Sequence, residues 1–402
     1  VLGLCLAISP GAFADEETDA DDTTLLDAVT KGTFTLNLRY RYEEVDQDGF
    51  DNKGKASTLR TMAGYRTGTW NGLEVYLEFE DIRNLGLSNE HNNGGAGDLG
   101  NGATDYPVIA DPALTEINQA YLGWKPIDGL PFRFGLQEII IDNHRFVGNV
   151  LWRQNHQTFE AARGDFTGVE NLKISYSYIG RQHTVTGASL PMSTSHLGVS
   201  YDIGEIGTVK GYWMLLDYDH EMHLFKNTST FGAFFDGSAK LSDTLELGYR
   251  LEYAKQTDSN NPDANIDADY LFADLGLTVS KVRFGIGYEV LGGSPQDGQF
   301  NTPLATLHKF NGWADKFLTT PILGLQDLFI SINAKLGRFT LTGVYHDFSS
   351  DSGGFDWGTE FDAAVVYTAP WKQKFSIKYA DYDAKDHATD TRKLWIWTSW
   401  GF

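Results

Sequence analysis

The sequence predicts an all-β chain folded as one transmembrane antiparallel β-barrel of about 18 strands, with short turns at one end and long loops at the other. Three observations carry this. Segments of about ten residues alternate apolar and polar side chains along most of the chain, and about ten residues is what a tilted strand needs to cross a bilayer. No stretch approaches the roughly 20 apolar residues of a membrane helix. Finally, the chain ends on RKLWIWTSWGF, where Leu394, Ile396, Thr398, Trp400 and Phe402 share one parity and Lys393, Trp395, Trp397, Ser399 and Gly401 the other.

Residues 1–14, VLGLCLAISPGAFA, read as the apolar remnant of a secretory signal peptide with an A-x-A cleavage site at Ala12-Phe13-Ala14. Cys5, the only cysteine, lies inside that segment, so the exported chain has no disulfide framework and no zinc-thiolate site. Residues 15–32 form an acidic leader, with Asp15, Glu16, Glu17, Asp19, Asp21 and Asp22, whose composition predicts disorder. The barrel is expected over 33–402. Net charge is −22, from 32 basic and 54 acidic residues, which excludes nucleic acid as a natural partner.

Alternation begins with Phe34, Leu36, Leu38, Tyr40 and Tyr42 against Asn37, Arg39, Arg41 and Glu43. One such strand fits a soluble sheet as well as a barrel, and repetition decides. It recurs with Leu73, Val75, Leu77 and Phe79; Leu172, Ile174, Tyr176 and Tyr178; Leu245 to Tyr253; Val282 to Val290; Leu328 to Ile332; Phe339 to Tyr345; Phe361 to Tyr367; and Phe375 to Tyr379. Weaker segments lie at 57–67, 115–124, 131–140, 157–163, 195–201, 207–216, 228–236 and 269–278. Connections at 68–71, 126–130, 202–207, 236–243 and 370–374 are short, and those at 44–56, 83–114, 141–156, 254–268 and 291–324 are long. The short ones belong on the periplasmic side and the long ones outside. Trp70, Trp124, Tyr201, Tyr367 and Trp371 sit at strand ends, as interfacial girdles require.

The aromatic terminus resembles the last strand of bacterial outer-membrane barrels. That resemblance implies an outer-membrane location among lipid and lipopolysaccharide, and recognition by the β-barrel assembly machinery through Phe402. Two longer stretches, IIIDNHRFVGNVLWRQNHQTFEAA from Ile139 to Ala162 and TPLATLHKFNGWADKFLTTPILGLQD from Thr302 to Asp327, together with NLRYRYE at Asn37 to Glu43, resemble the alginate export family of outer-membrane porins. The resemblance implies a lumen narrowed by loops and lined by arginines and lysines that attract uronate chains such as alginate. By position it places Arg145 and Arg153 in or near the constriction, with Asp142 and Asn143 beside them. One departure is Gly135-Leu136-Gln137, where the family carries arginine in place of the leucine, which weakens the case for alginate itself.

Independently of that resemblance, assigning polar parities to the lumen puts Arg39, Arg41, Arg60, Arg133, Arg250 and Arg283 on the inner wall. Glu43, Glu78, Glu80, Glu252, Glu289, Glu360 and Asp362 share it. A basic ladder of this kind passes small polar solutes or anionic saccharides; the same charges can instead pair across strands and stiffen the wall. The segment Thr306 to Trp313 is expected to pack its loop into the lumen. Asp46, Asp48 and Asp51 lack the spacing of a calcium loop, and the histidines of His220-Glu221-Met222-His223 are too close for a helical zinc site. No serine–histidine pairing suggests an enzyme, and no cofactor is expected. A non-selective general porin, a barrel enzyme and a plugged structural barrel remain the alternative readings.

Overall fold

The computed structural model describes residues 24–220, 223, 226–260 and 265–402. The expected signal remnant, the leader up to residue 23, and Glu221 and Met222 lie outside these. The expectation of disorder over 15–32 does not hold where the described chain begins. Leu25–Thr30 forms a short helix, α1, capped by the Thr24 hydroxyl, which accepts from the Asp27 amide at 3.1 Å. It docks through the Ala28 and Val29 carbonyls, which accept from the Gly68 amide at 2.8 Å and the Tyr65 hydroxyl at 2.7 Å.

The strands follow in chain order: β1 (Thr33–Gln47), β2 (Gly54–Arg66), β3 (Leu73–Glu90), β4 (Leu114–Trp124), β5 (Phe132–Gln137), β6 (Thr158–Val169), β7 (Leu172–His183), β8 (Ser189–Asp202), β9 (Thr208–Leu216), β10 (Thr228–Ser242), β11 (Leu245–Asp258), β12 (Asp267–Val279) and β13 (Val282–Leu291). A two-residue ribbon, β14 (Gly293–Ser294) with β15 (Gly298–Gln299), sits within a loop. Then come β16 (Leu325–Leu336), β17 (Phe339–Ser349), β18 (Asp356–Thr368), β19 (Lys374–Ala384) and β20 (Thr391–Gly401). All except the ribbon join one 18-stranded antiparallel sheet.

The sheet closes because β1 pairs with β2 on one side and β20 on the other, from Asn37↔Gly401 to Gln47↔Thr391. Leu36 and Phe402 add a final pair, exchanging N–H···O bonds of 3.1 and 2.9 Å. Closure satisfies every edge, the condition for strands to span lipid. Outer-parity side chains such as Phe231, Leu251, Phe284, Ile330 and Ile377 remain more than half exposed in the isolated chain. They form the apolar belt that a bilayer covers, while their inner neighbours Arg250, Glu252 and Glu289 are buried. Trp124, Tyr201 and Trp371 are exposed next to the short turns, as expected of a girdle.

Strand ends differ from the sequence expectation in an instructive way. β10 runs to Ser242, so residues 236–243 are mostly strand and the turn is only 243–244; likewise β1, β3 and β11 extend into the segments expected as long loops. Polar residues continue these strands because beyond the bilayer neither face needs to be apolar. The tight turn Asn71-Gly72 has φ of 49° and 75°, the left-handed pair that matches strand twist. β5 is only Phe132–Gln137, not 131–140, because the chain leaves the wall at Glu138 and turns inward.

The buried cluster is inside the barrel. Phe146, Val147, Phe300, Leu304, Ala314 and Phe317 from two loops pack against Tyr212, Phe234, Tyr270, Phe272, Phe329, Phe348 and Trp395 of the wall. Deleting Phe402 removes the terminal pair of the closing ladder, a loss of about 0.5–1.5 kcal/mol per hydrogen bond. The expected outcome is a clear drop in the yield of heat-modifiable barrel on gels after refolding, with little change in the melting of barrels already closed.

Candidate functional site

The lumen is narrowed by the 138–157 and 292–324 loops, which bond to each other as well as to the wall. Val147 and Leu304 form a parallel bridge. The Gly148 amide donates to Leu304 O at 2.9 Å, Thr306 N–H to His144 O at 3.1 Å, and Lys309 Nζ to Asn143 O at 2.8 Å. Gln157 Nε2 spans the joint, donating to Gly148 O at 2.7 Å and Leu304 O at 2.9 Å. Several residues here hold left-handed backbone: Asp142, His144 and Val150 in one loop, Asn311, Gly312 and Asp315 in the other. For the β-branched Val150, at φ 51°, this costs on the order of 1–3 kcal/mol, and its amide is held by the Thr306 hydroxyl at 3.2 Å.

Arginines then tie the paired loops to the wall. Arg145, on the 138–157 loop, reaches Glu289 of β13 at 2.8 Å with both side chains buried, and also donates to Asn311 at 3.2 Å. Arg153 meets Glu43 of β1 at 3.1 Å and Asp315 at 3.3 Å. Arg41 of β1 pairs with Asp111 of the 91–113 loop and with Glu43 at 3.3 Å. Arg250 of β11 grips Asp142 at 2.5 Å and Glu252 at 2.6 Å, and Arg283 of β13 meets Asp274 of β12 at 2.5 Å. Arg60 donates to Asn37 at 2.7 Å and approaches His156 Nε2 at 2.5 Å. Arg133 lies over the Tyr121 ring, 5.1 Å from its centre. Asn143 caps its own turn by accepting from the Arg145 amide at 3.0 Å.

Arg39 differs from these. Its guanidinium donates to Gln154 Oε1 at 2.8 Å, to Leu151 O at 2.8 Å and to Arg153 O, all neutral acceptors. Among the described residues it has no carboxylate partner. Together with Arg41 and Arg283 it borders a cavity of about 130 Å³ between the loops and the wall. Arg145 and Arg153 do not border this cavity; they are buried in the ion pairs that brace the loops. The wall's carboxylates on the cavity have partners too: Glu289 has Arg145 and Asn311, and Asp327 has His346 at 2.8 Å.

An aromatic arrangement that sequence reasoning missed faces the same space. Trp152 stacks on His308, ring centres 4.2 Å apart and 6° from parallel, and meets Trp395 and Trp397 edge-on at 5.3 and 5.6 Å. Lys378 Nζ lies 4.0 Å above Trp152 and 3.6 Å above Trp313, and is 2.7 Å from His308 Nε2. Burial pushes the His308 imidazole well below its ordinary range; its Nδ1 faces Asp315 at 2.6 Å and its Nε2 lies 2.7 Å from Lys378 Nζ. Burial alone would raise Asp315, but His308, Lys393 and Arg153 hold it well below the usual carboxylate range. Trp152, His308 and Trp313 were visible in the sequence; nothing in spacing joins residues 152, 308, 378 and 395. The expectation that Thr306 to Trp313 packs its loop into the lumen agrees with this geometry.

Among the described residues, no three His, Cys, Asp or Glu side chains are grouped as metal ligands; Asp46 pairs with Lys53 at 2.9 Å. No family model and no curated protein matches the sequence. Solved structures do match. OccK9 (OpdG) of Pseudomonas aeruginosa is 14% identical with a TM-score of 0.74, covering 93% of this chain and 99% of its own. OpdK of the same organism, solved with vanillate, is 14% identical with a TM-score of 0.70, covering 92% and 98%. OccAB4 of Acinetobacter baumannii is 12% identical with a TM-score of 0.70, covering 92% and 97%. The chain therefore has the fold of these outer-membrane barrels, and alginate export proteins are not among the neighbours named.

Two outcomes follow from the joint. Replacing Arg145 by Met leaves Glu289 buried without its cation, a loss of about 3–5 kcal/mol. Thermal melting should fall, and the double variant Arg145→Met, Glu289→Gln should recover part of it. Burial, with Lys309 nearby, lowers His144 from 6.5 to about 4. A depressed histidine favours the docked state fully above 6.5, and that contribution is lost progressively as pH falls toward 4. Protease nicking of the 138–157 loop should therefore rise over that interval, and less steeply in His144→Gln.

Proposed function

We propose that this protein is a bacterial outer-membrane porin that passes small polar or anionic solutes through a lumen constricted by its own loops. The observation that carries this reading is Arg39: a guanidinium on the cavity, bound only by neutral acceptors, while Glu289 and Asp327 on the same cavity have partners of their own. A fixed positive charge at a narrow, low-dielectric point attracts an anion more strongly than the diffuse negative charge of distant loops repels it. The fold shared with outer-membrane channels supports transport rather than chemistry.

The finer reading concerns the solute. A carboxylate would take the fork of Arg39, with Arg41 and Arg283 beside it, and a flat or pyranose ring would lie against Trp152, Trp313 or Trp397. OpdK, solved with vanillate, offers a ring-bearing carboxylate as a first compound to try. A cavity of about 130 Å³ favours single small solutes, and a uronate polymer such as alginate would need the paired loops displaced. The closing strand with Phe402 is the part we assign to the assembly machinery, and the outer belt to lipid and lipopolysaccharide.

The test is the reversal potential of the purified barrel in a planar bilayer under a salt gradient. The wild type should prefer anions despite its net charge of −22, and Arg39→Gln should lower that preference at least twofold. A wild type that clearly prefers cations would sink the reading. Arg153→Glu should loosen the loops and raise conductance more than it shifts selectivity, because Arg153 is committed to Glu43 and Asp315.

A further inference from the structure

Two strands along the inner wall from Arg39, β3 and β4 present an arrangement that the channel reading does not use. Glu80 of β3 is fully buried, and neither of its carboxylate oxygens has a hydrogen-bond donor among the described residues. Its cross-strand neighbour is another acid, Glu116 of β4. Like charges directly opposite each other destabilise a sheet, and an unpaired buried carboxylate costs still more.

The surrounding groups add acceptors instead of donors. The β3–β4 register shifts between Glu78 and Phe79, leaving Asn118 as the extra residue of β4, so Asn118 and Gln119 are buried in succession. Both amides donate to the same oxygen of Glu78, at 2.8 and 3.0 Å. With its N–H₂ so committed, Asn118 is left with a fully buried carbonyl oxygen that no donor meets. Asn155, on the covering loop, lies beside Glu116 and donates to Thr184 O at 3.4 Å. Its own carbonyl oxygen is likewise buried without a donor.

Arg60 and Arg39 act on Glu80 through space, but neither donates a hydrogen bond to it. Arg60 turns its terminal nitrogens to His156 and Asn37, and Arg39 turns its own to loop acceptors. His156 faces Glu138 at 2.6 Å. Two carboxylates and two amide carbonyls, all hard oxygens and about six in number, are the donor set of a calcium-type ion, not of a transition metal. Two carboxylates also match its charge.

We propose that Glu80, Glu116, Asn118 and Asn155 form a buried site for one divalent hard cation of the Ca²⁺ type, which fastens the 138–157 loop to the wall. The ion puts positive charge in direct contact with the β3–β4 acids, which Arg60 and Arg39 reach only through space, and Asn155 makes the loop part of its coordination shell. Sequence gave no warning, because the ligands come from two strands and a loop and only two of them are acidic.

The test uses the full barrel refolded from urea in detergent, hence free of lipopolysaccharide, with either EDTA or about millimolar CaCl₂. Calcium binding is read by calorimetry, and loop docking by protease nicking. The wild type should take up Ca²⁺ at this site and resist nicking at least fivefold longer with Ca²⁺ than with EDTA. Glu80→Gln should weaken that binding at least tenfold and make nicking independent of Ca²⁺. Because a wall substitution can impair folding, Asn155→Asp is the second variant: it lies on the loop, adds a ligand charge and should tighten binding severalfold. A wild type that binds no Ca²⁺ would mean that Glu80 is simply protonated or hydrated, and would overturn the proposal. So would binding that Glu80→Gln and Asn155→Asp both leave unchanged.

Discussion

Closure of the sheet by β1 and β20 is the constraint from which the rest of the molecule follows. In lipid, every strand N–H and C=O must be paired, so the sheet cannot end on an edge. With 18 strands the ring that results is too wide for wall side chains to fill, unlike an eight-stranded barrel. The interior is therefore water or loop. Here the 138–157 and 292–324 loops take that space, and the apolar core consists of their side chains packed on the inner wall.

Filling a polar tube with loops creates an electrostatic problem. The wall was charged because it faces a lumen, and once loops cover it those charges lose water. The molecule answers with pairing across the loop–wall junction, as in Arg145–Glu289, Arg153–Glu43 and Arg41–Asp111. Such pairs add little net stability over apolar packing, but breaking one is costly, so they specify where each loop sits. The charges left without an opposite partner are the informative ones. Arg39 borders the cavity, hydrogen-bonded only to neutral acceptors; Glu80 is fully buried, and among the described residues no donor meets its oxygens.

Much of the fold was legible in the chain. Inner and outer parities, the strand number and the closing role of the terminal segment all follow from period-two alternation, because a strand exposes its two faces to different surroundings at every step. Strand ends were less legible: outside the bilayer the apolar demand stops, and β3 and β10 continue on polar residues without a signal. The inward bend at Glu138 was hidden for the same reason.

The candidate site was legible only as a set of residue types. Arg39, Arg41 and Arg283 could be placed on the inner wall by parity alone. Whether each faces solute or a carboxylate depends on where segments 70 to 162 residues apart come to rest: Arg41 meets Asp111, and Arg153 meets Glu43 and Asp315. Likewise Trp152, His308 and Lys378 come together only once two loops and β19 share one volume. The sequence by itself determined the barrel, its lipid face and the charge of its wall, because those depend on the local period. Only the tertiary structure decided which charges are neutralised and which remain available, because that depends on long-range loop packing to which the period of a strand is blind.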